Sequence, residues 1–218
     1  KTLRLLRCEC VDLYYLHGPP DDPDQMHRVL DTCEELKGEG RIRAVGASVK
    51  GPDVTARTVE LCRQYIESGR VDVLEVIYSI LRQRNARMLP QAIDENIGIV
   101  ARTTLESGFL TGKYAPGHRF TGKDHRTRWD GERLDRILEE VRDLEGWALV
   151  PPYETLAQVA IRFALDRDGV SSVVVGARTP QQIRQSLEAA SLPPLAQPLR
   201  RRLERTFGGR DEEFNTTA

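Results

Sequence analysis

The chain has 218 residues, a formal net charge of -1 and 39% hydrophobic side chains, enough apolar material for a core of ordinary size. Balanced charge excludes a dedicated nucleic-acid surface, and no apolar run is long enough to cross a bilayer. Cys8 and Cys10 stand too close for the usual zinc spacing, Cys33 and Cys62 fall in helix-like segments, and none of the four cysteines suggests a disulfide framework.

Lys1 to Arg7 reads as the tail of a helix and lacks the apolar run of a signal peptide, so a cytosolic location with reduced thiols is expected. The first strand, residues 11–16, places Val11, Leu13, Tyr15 and His17 on one face at a period of two. Gly18, Pro19 and Pro20 then end the ladder. A histidine therefore stands at a strand's C-terminal mouth, where catalytic residues gather in a parallel α/β barrel, unless it merely finishes a core strand. Further strands are predicted over 42–47, 73–78, 97–102 and 172–175, and helical periodicity over 24–38, 53–67, 86–95, 155–167, 180–190 and 197–207. This order of mostly apolar strands and amphipathic helices predicts a parallel sheet covered by helices.

The connection from 103 to 152 departs from the pattern. It holds a loop rich in Gly, Lys and Arg, Tyr114 to Asp130, and then a helix from Glu132 to Glu145 with Leu134, Ile137, Leu138, Val141 and Leu144 at helical spacing. Such a loop is functional or mobile. Trp129 within it either lines a substrate pocket or packs on the following helix. His118, Asp124 and His125 have flexible, basic surroundings and no metal-ligand spacing, and are read as solvated. His27 opens a surface helix, Arg200-Arg201-Arg202 is the solvated side of a last helix, and Gly208 to Ala218 reads as a polar tail.

Two segments carry phosphate chemistry. In Ile99 to Tyr114 a strand runs into small and hydroxyl residues, glycines and Lys113. It is not a P-loop, since only three residues separate Gly108 from Gly112 and Tyr114 stands where Ser or Thr would follow the lysine. Lys113 by itself is equally a solvated loop lysine. No G-x-G-x-x-G follows a strand, which speaks against a Rossmann site. In Val173 to Gln182 an apolar strand ends at Gly176, Thr179 caps a helix, Pro180 suits its first turn and Gln182 completes a capping box. The free amides and Arg178 there form an anion site, although plain capping accounts for the same residues.

In this order the segments resemble the aldo-keto reductase family over almost the whole chain. Val11 to Pro19 is similar to its fourth barrel strand, Gly40 to Ser48 to its fifth, and Glu75 to Leu81 to its sixth. Arg102 to Tyr114 is similar to the seventh strand with its cofactor loop, and Gly176 to Ser186 to the eighth strand and the helix that binds the adenosine phosphate. The resemblance implies an α/β fold, a parallel (β/α)8 barrel of the TIM type. A barrel of that type closes with eight strands over about 250 residues. This chain, with about five strands, is expected to be one domain over 1–218 that lacks the N-terminal strands.

The implied activity is reversible hydride transfer between a nicotinamide cofactor and the carbonyl carbon of a small aldehyde or ketone. A developing alkoxide needs a proton donor beside groups that stabilise negative charge. His17 matches the family's carbonyl-orienting histidine. The family's tyrosine donor, with the lysine and aspartate that tune it, belongs ahead of residue 1, and Asp12, Tyr14, Tyr15 and Lys113 do not stand at those positions. Ser48 matches a serine on the cofactor's carboxamide, Glu75 replaces a glutamine on the same group, Val49 replaces an asparagine, and Tyr78 joins these contacts. Arg102 takes the place of an aromatic that stacks on the nicotinamide, and its planar guanidinium also stacks. Thr103, Leu105, Gly108 and Lys113 fall in the loop around the diphosphate. Gly176, Arg178, Gln182, Gln185 and Ser186 fall in the adenosine-phosphate region, with Gln182 and Ser186 replacing arginine and asparagine. NADP is the implied cofactor, Arg178 meeting its extra phosphate, and the departures leave NAD open. A catalytically silent cofactor-binding or regulatory module is the alternative. Neither a membrane nor a nucleic acid is expected as partner, and the oligomeric state stays open, although unclosed edges at the His17 and Val173 strands would promote association.

Overall fold

A computed structural model describes residues 2–49, 51, 53–129 and 131–216. A short helix α1 (Thr2–Leu6) leads into strand β1 (Val11–His17), followed by α2 (Pro23–Gly38), β2 (Ile42–Ser48), α3 (Ala56–Glu67), β3 (Val73–Ile77), α4 (Leu89–Asp94) and β4 (Gly98–Arg102). After the long connection come α5 (Gly131–Ala148), α6 (Leu156–Leu165), β5 (Val170–Val173), α7 (Pro180–Ser191), α8 (Gln197–Phe207) and α9 (Asp211–Phe214). The five strands form one sheet in the order β1-β2-β3-β4-β5, and every neighbouring pair is parallel. Repeated β-α-β crossovers force this, since each helix must return the chain before the next strand starts.

Local chemistry fixes where the helices start. The Asp22 carboxylate caps α2 by accepting from the Gln25 N–H at 2.9 Å, with Pro23 in the first turn. Reciprocal capping boxes open α3 (Thr55 with Thr58) and α6 (Thr155 with Gln158). Because Thr55 is a cap, α3 begins at Ala56 and not at the expected residue 53. The segment expected as a helix over 86–95 splits into a 3-10 turn, Arg84–Met88, and the short α4, while α5 runs three residues past its expected end.

The three central strands bury one face under helices. Val45, Ala47, Leu74, Val76, Ile99 and Ala101 are buried there, 1% exposed or less. On the opposite face Leu13, Tyr15, Val73, Glu75, Val100 and Arg102 are half-buried, while Ser48 and Ile77 are buried. Among the described residues β1 and β5 are the two edges of the sheet and do not pair. The barrel is therefore incomplete in this chain, as the strand count predicts.

Two expectations need correction. The last strand spans Val170–Val173, two residues earlier than its apolar run, because pairing with β4 sets its position through Val170 opposite Ile99. Val174 still donates its N–H to Ala101 O at 2.9 Å, but its side chain is 47% exposed. The C-terminal segment is not merely a polar tail: α9 seats Phe214 against Phe207, and Asp211 and Asn215 are buried with it. Among the described residues no helix is long and apolar enough to cross a membrane.

Candidate active site at the carboxyl edge of the sheet

Parallel pairing brings the C-terminal mouths of the strands to one side of the sheet. The register sets His17 beside Ser48 and Ser48 beside Glu75. The His17 side chain is exposed at this edge, and the Gly18 N–H continues the ladder to Ser48 O at 3.1 Å. Ser48 Oγ donates to Glu75 Oε1 at 3.0 Å. Arg102 follows, its Nε 3.9 Å from Glu75 Oε1, and its Nη2 donates to Val49 O at 2.9 Å and Gly51 O at 3.0 Å. Burial lowers the Arg102 pKa from its ordinary value, and Glu75 opposes this. Arg102 Nε is buried with no hydrogen-bond partner, so the edge retains a donor in addition to the acceptors of Ser48 and Glu75. Beneath this row the Tyr15 ring lies over Gly46, where a Cβ would come within 2.5 Å of it. Burial, and then the charge of Glu75, raise the pKa of the Tyr15 phenol.

Beyond Arg102 the chain turns sharply. Thr103 has φ +59° and its Oγ1 accepts from Arg102 Nη1 at 3.3 Å; Leu105 packs on the core, and Gly108 has φ +95°. Lys113 is exposed, with its Nζ 5.8 Å from the centre of the Tyr114 ring. At the far edge Gly176, Arg178, Gln182 and Gln185 are exposed and Ser186 is half-buried. Thr179 Oγ1 accepts from the Gln182 N–H at 3.2 Å, while Gln182 Oε1 reaches past the cap to accept from the Arg178 N–H at 2.7 Å. The Gln182 side chain is thereby spent on the helix start, and Ser186 Oγ donates to Gln182 O at 2.9 Å. The Arg178 side chain stays free of that cap, beside the first turn of α7.

Two expected site residues lie elsewhere. Tyr78 is 2% exposed and stacks on Phe163 of α6 at 5.6 Å, with burial pushing its pKa up to about 12. The period of two explains this, since Leu74, Val76 and Tyr78 all face the helices. Trp129 is 4% exposed and meets Phe109 edge-on at 5.1 Å, so it is packed in the core against the segment after β4. Nor is its loop loosely solvated. Arg126, 6% exposed, holds Asp124 through Nε at 2.9 Å and Nη2 at 2.6 Å and keeps that carboxyl well below the usual range. The same guanidinium donates to Tyr114 OH at 2.7 Å and lies 4.1 Å over Phe120, and His118 packs tilted against Tyr114 and edge-on against Phe120. Among the described residues no group of three or more His, Cys, Asp or Glu is placed to hold a metal.

Sequence reasoning missed one cluster altogether. Arg82 and Glu106, 2% and 3% exposed at the side chain, form a buried ion pair of 2.7 Å joining the segment after β3 to the loop after β4. The signal was slight: two charges 24 positions apart, Glu106 among small and apolar residues but Arg82 at the head of a polar, basic run.

The chain is 29% identical over 200 residues to the NADH-specific methylglyoxal reductase of Escherichia coli K12, covering 88% of this chain and 57% of that protein. It is 28% identical over 216 residues to a probable voltage-gated potassium channel subunit beta of Arabidopsis thaliana, covering 91% and 62%. The aldo-keto reductase AKR11C1 of Bacillus halodurans, solved in apo and holo forms, superposes with a TM-score of 0.71 at 26% identity, over 94% of this chain and 64% of the apo chain. The chain thus spans somewhat more than half the length of these curated relatives. The model of the aldo/keto reductase family matches residues 1–203, and the chain belongs to that family.

Proposed function

We propose that this chain forms the nicotinamide-cofactor half of a carbonyl reductase that converts small aldehydes or ketones to alcohols with NADPH. The observation that carries the reading is the row His17, Ser48, Glu75 and Arg102, which shares one side of a parallel sheet with the capped start of α7 and Arg178. Ser48 and Glu75 offer acceptors to a carboxamide N–H, the buried Arg102 presents an unsatisfied Nε–H and a planar group for stacking, and Leu105, Gly108 and Lys113 lie along the diphosphate. Gly176, where an added Cβ would meet nothing within 4 Å, leaves room beside α7 for the adenosine phosphate. The bound cofactor supplies the hydride. His17 orients the carbonyl, and the proton comes from residues supplied by a longer chain.

The NADH-specific relative keeps NADH as the competing cofactor, and Arg178 favours NADPH. Fluorescence titration of residues 1–218 with both cofactors decides between them. A charge-assisted hydrogen bond contributes about 1.5–3 kcal/mol, so Arg178→Ala should weaken NADPH by about tenfold or more and leave NADH unchanged. Equal loss for both cofactors would remove Arg178 from the phosphate site. Carbonyl reduction is expected only from a protein that also supplies the tyrosine, lysine and aspartate, with His17→Ala reducing turnover more than cofactor affinity. Robust turnover by residues 1–218 alone would overturn that assignment of the acid. A silent cofactor-binding module is the second reading, favoured by similarity to the channel subunit, and turnover by the longer protein would exclude it.

A further inference from the structure

We propose that Glu106 is a positioning residue, which through Arg82 and Ser79 holds the loop 103–112 in its ligand-ready shape before any ligand arrives. The functional half of this inference rests on the reading of that loop as the diphosphate loop. Glu106 accepts from Arg82 Nε at 3.0 Å on Oε1 and from Nη2 at 2.7 Å on Oε2, and the Ser79 hydroxyl donates to the same Oε1. Ser79 Oγ in turn accepts the Arg82 N–H at 3.0 Å, so the segment after β3 is itself folded around the pair. All three residues are buried.

An ion pair at this depth is a poor way to gain stability, since desolvation offsets most of its attraction and apolar side chains of similar volume would fill the space. Fixed geometry is the property that distinguishes it. The loop needs such fixing, because Glu106, Ser107 and Gly108 follow one another with φ of 48°, 56° and 95°. Two side-chain-bearing residues in succession thus occupy a region that L residues rarely adopt. The turn is held from both ends: Glu106 is clamped below by Arg82 and Ser79, and Ser107 O accepts from Arg126 Nη1 at 3.3 Å above. Arg126 is itself locked by Asp124 and Tyr114. Phe109 and Leu110, buried immediately after the turn, anchor its exit.

A loop that already occupies its bound shape binds with its full intrinsic affinity, whereas a loop that spends about a tenth of its time there binds about tenfold more weakly. The test uses residues 1–218 with the double substitution Arg82→Met/Glu106→Leu, which removes both charges and leaves neither buried alone. Backbone amide exchange, thermal unfolding and NADPH fluorescence titration are measured together. The expected result is a cooperative transition close to the parent's, with exchange over 103–112 at least about tenfold faster, strand exchange unchanged, and NADPH about tenfold weaker. Unchanged loop exchange in the folded double variant overturns the proposal, and so does faster loop exchange with unchanged NADPH affinity. If the parent binds no NADPH, the cofactor reading of the preceding section fails instead, and the exchange comparison still decides whether Glu106 holds the loop. Should the double variant not fold, Ser79→Ala removes one hydroxyl, leaves the ion pair and is judged by the same outcomes.

Discussion

Asn215 and the backbone of Val54, 161 residues apart, hold each other through reciprocal hydrogen bonds: the Val54 N–H donates to Asn215 Oδ1 at 2.8 Å, and Asn215 Nδ2 donates to Val54 O at 2.9 Å. Beside them Thr216 donates its N–H and its hydroxyl to Asp53 Oδ1. The C-terminal segment thereby fixes the connection between β2 and α3, the same connection whose Val49 and Gly51 carbonyls accept from Arg102 at the candidate site.

Replacing Asn215 with Ala would leave a buried donor and a buried acceptor of Val54 without partners, at a cost of about 1–3 kcal/mol. Urea denaturation should register that loss as a lower midpoint at unchanged slope. A change below about 0.5 kcal/mol, the scale of ordinary surface substitutions, would mean that the clasp does not stabilise the connection.

Gly46→Ala places a methyl group 2.5 Å from the Tyr15 ring. Overpacking of this kind costs about 1–3 kcal/mol, and the lower end is expected because the half-buried ring has room to swing. In a double-mutant cycle, adding Tyr15→Ala should make the glycine substitution nearly neutral. Additive losses would place the strain elsewhere.

The phenol of Tyr78 has its folded pKa raised by burial from about 10 to about 12. The native state therefore holds this proton more tightly than the unfolded chain. The contribution is fully present below pH 10 and is lost as pH rises through about 12. Compared with the parent, Tyr78→Phe should show up to about 3 kcal/mol less loss of stability across that window. Parallel alkaline profiles for the two proteins would contradict the assignment of a buried, neutral phenol.

Exposed apolar groups cluster at both ends of the sheet. Leu5 and Leu6 are 67% and 60% exposed in α1, and Val174, Ile183 and Leu187 are 47%, 53% and 65% exposed around β5 and α7. With edge strands of unpaired backbone nearby, such surface drives association. Sedimentation velocity on residues 1–218 should show concentration-dependent oligomers, reduced by Ile183→Lys/Leu187→Lys. A monomer at every concentration would show that these surfaces do not self-associate.

Much of the architecture was legible before any coordinates. Period-two and helical spacing located the strands and most helices, and Thr179 announced the start of α7, because caps and periodicity are properties of a few adjacent residues. The stop after the first strand located His17 at a C-terminal mouth, whereas Ser48, Glu75 and Arg102 followed from the resemblance to the family; parallel crossovers place the strand ends on one side. Where these readings slipped, pairing or packing overrode local signal: β5 took its register from β4, and Tyr78 followed the parity of its strand into the core.

Sequence alone determined the order of elements, the parallel sheet and the side of it on which a site is built, because short-range sterics and hydrophobic spacing act within single elements. Only the tertiary structure decided which distant side chains share a site. The Arg82–Glu106 pair, the Arg126 hub around Tyr114 and the clasp of Asn215 on Val54 each join residues through burial and directional hydrogen bonds, and nothing in the local chain specifies those partners.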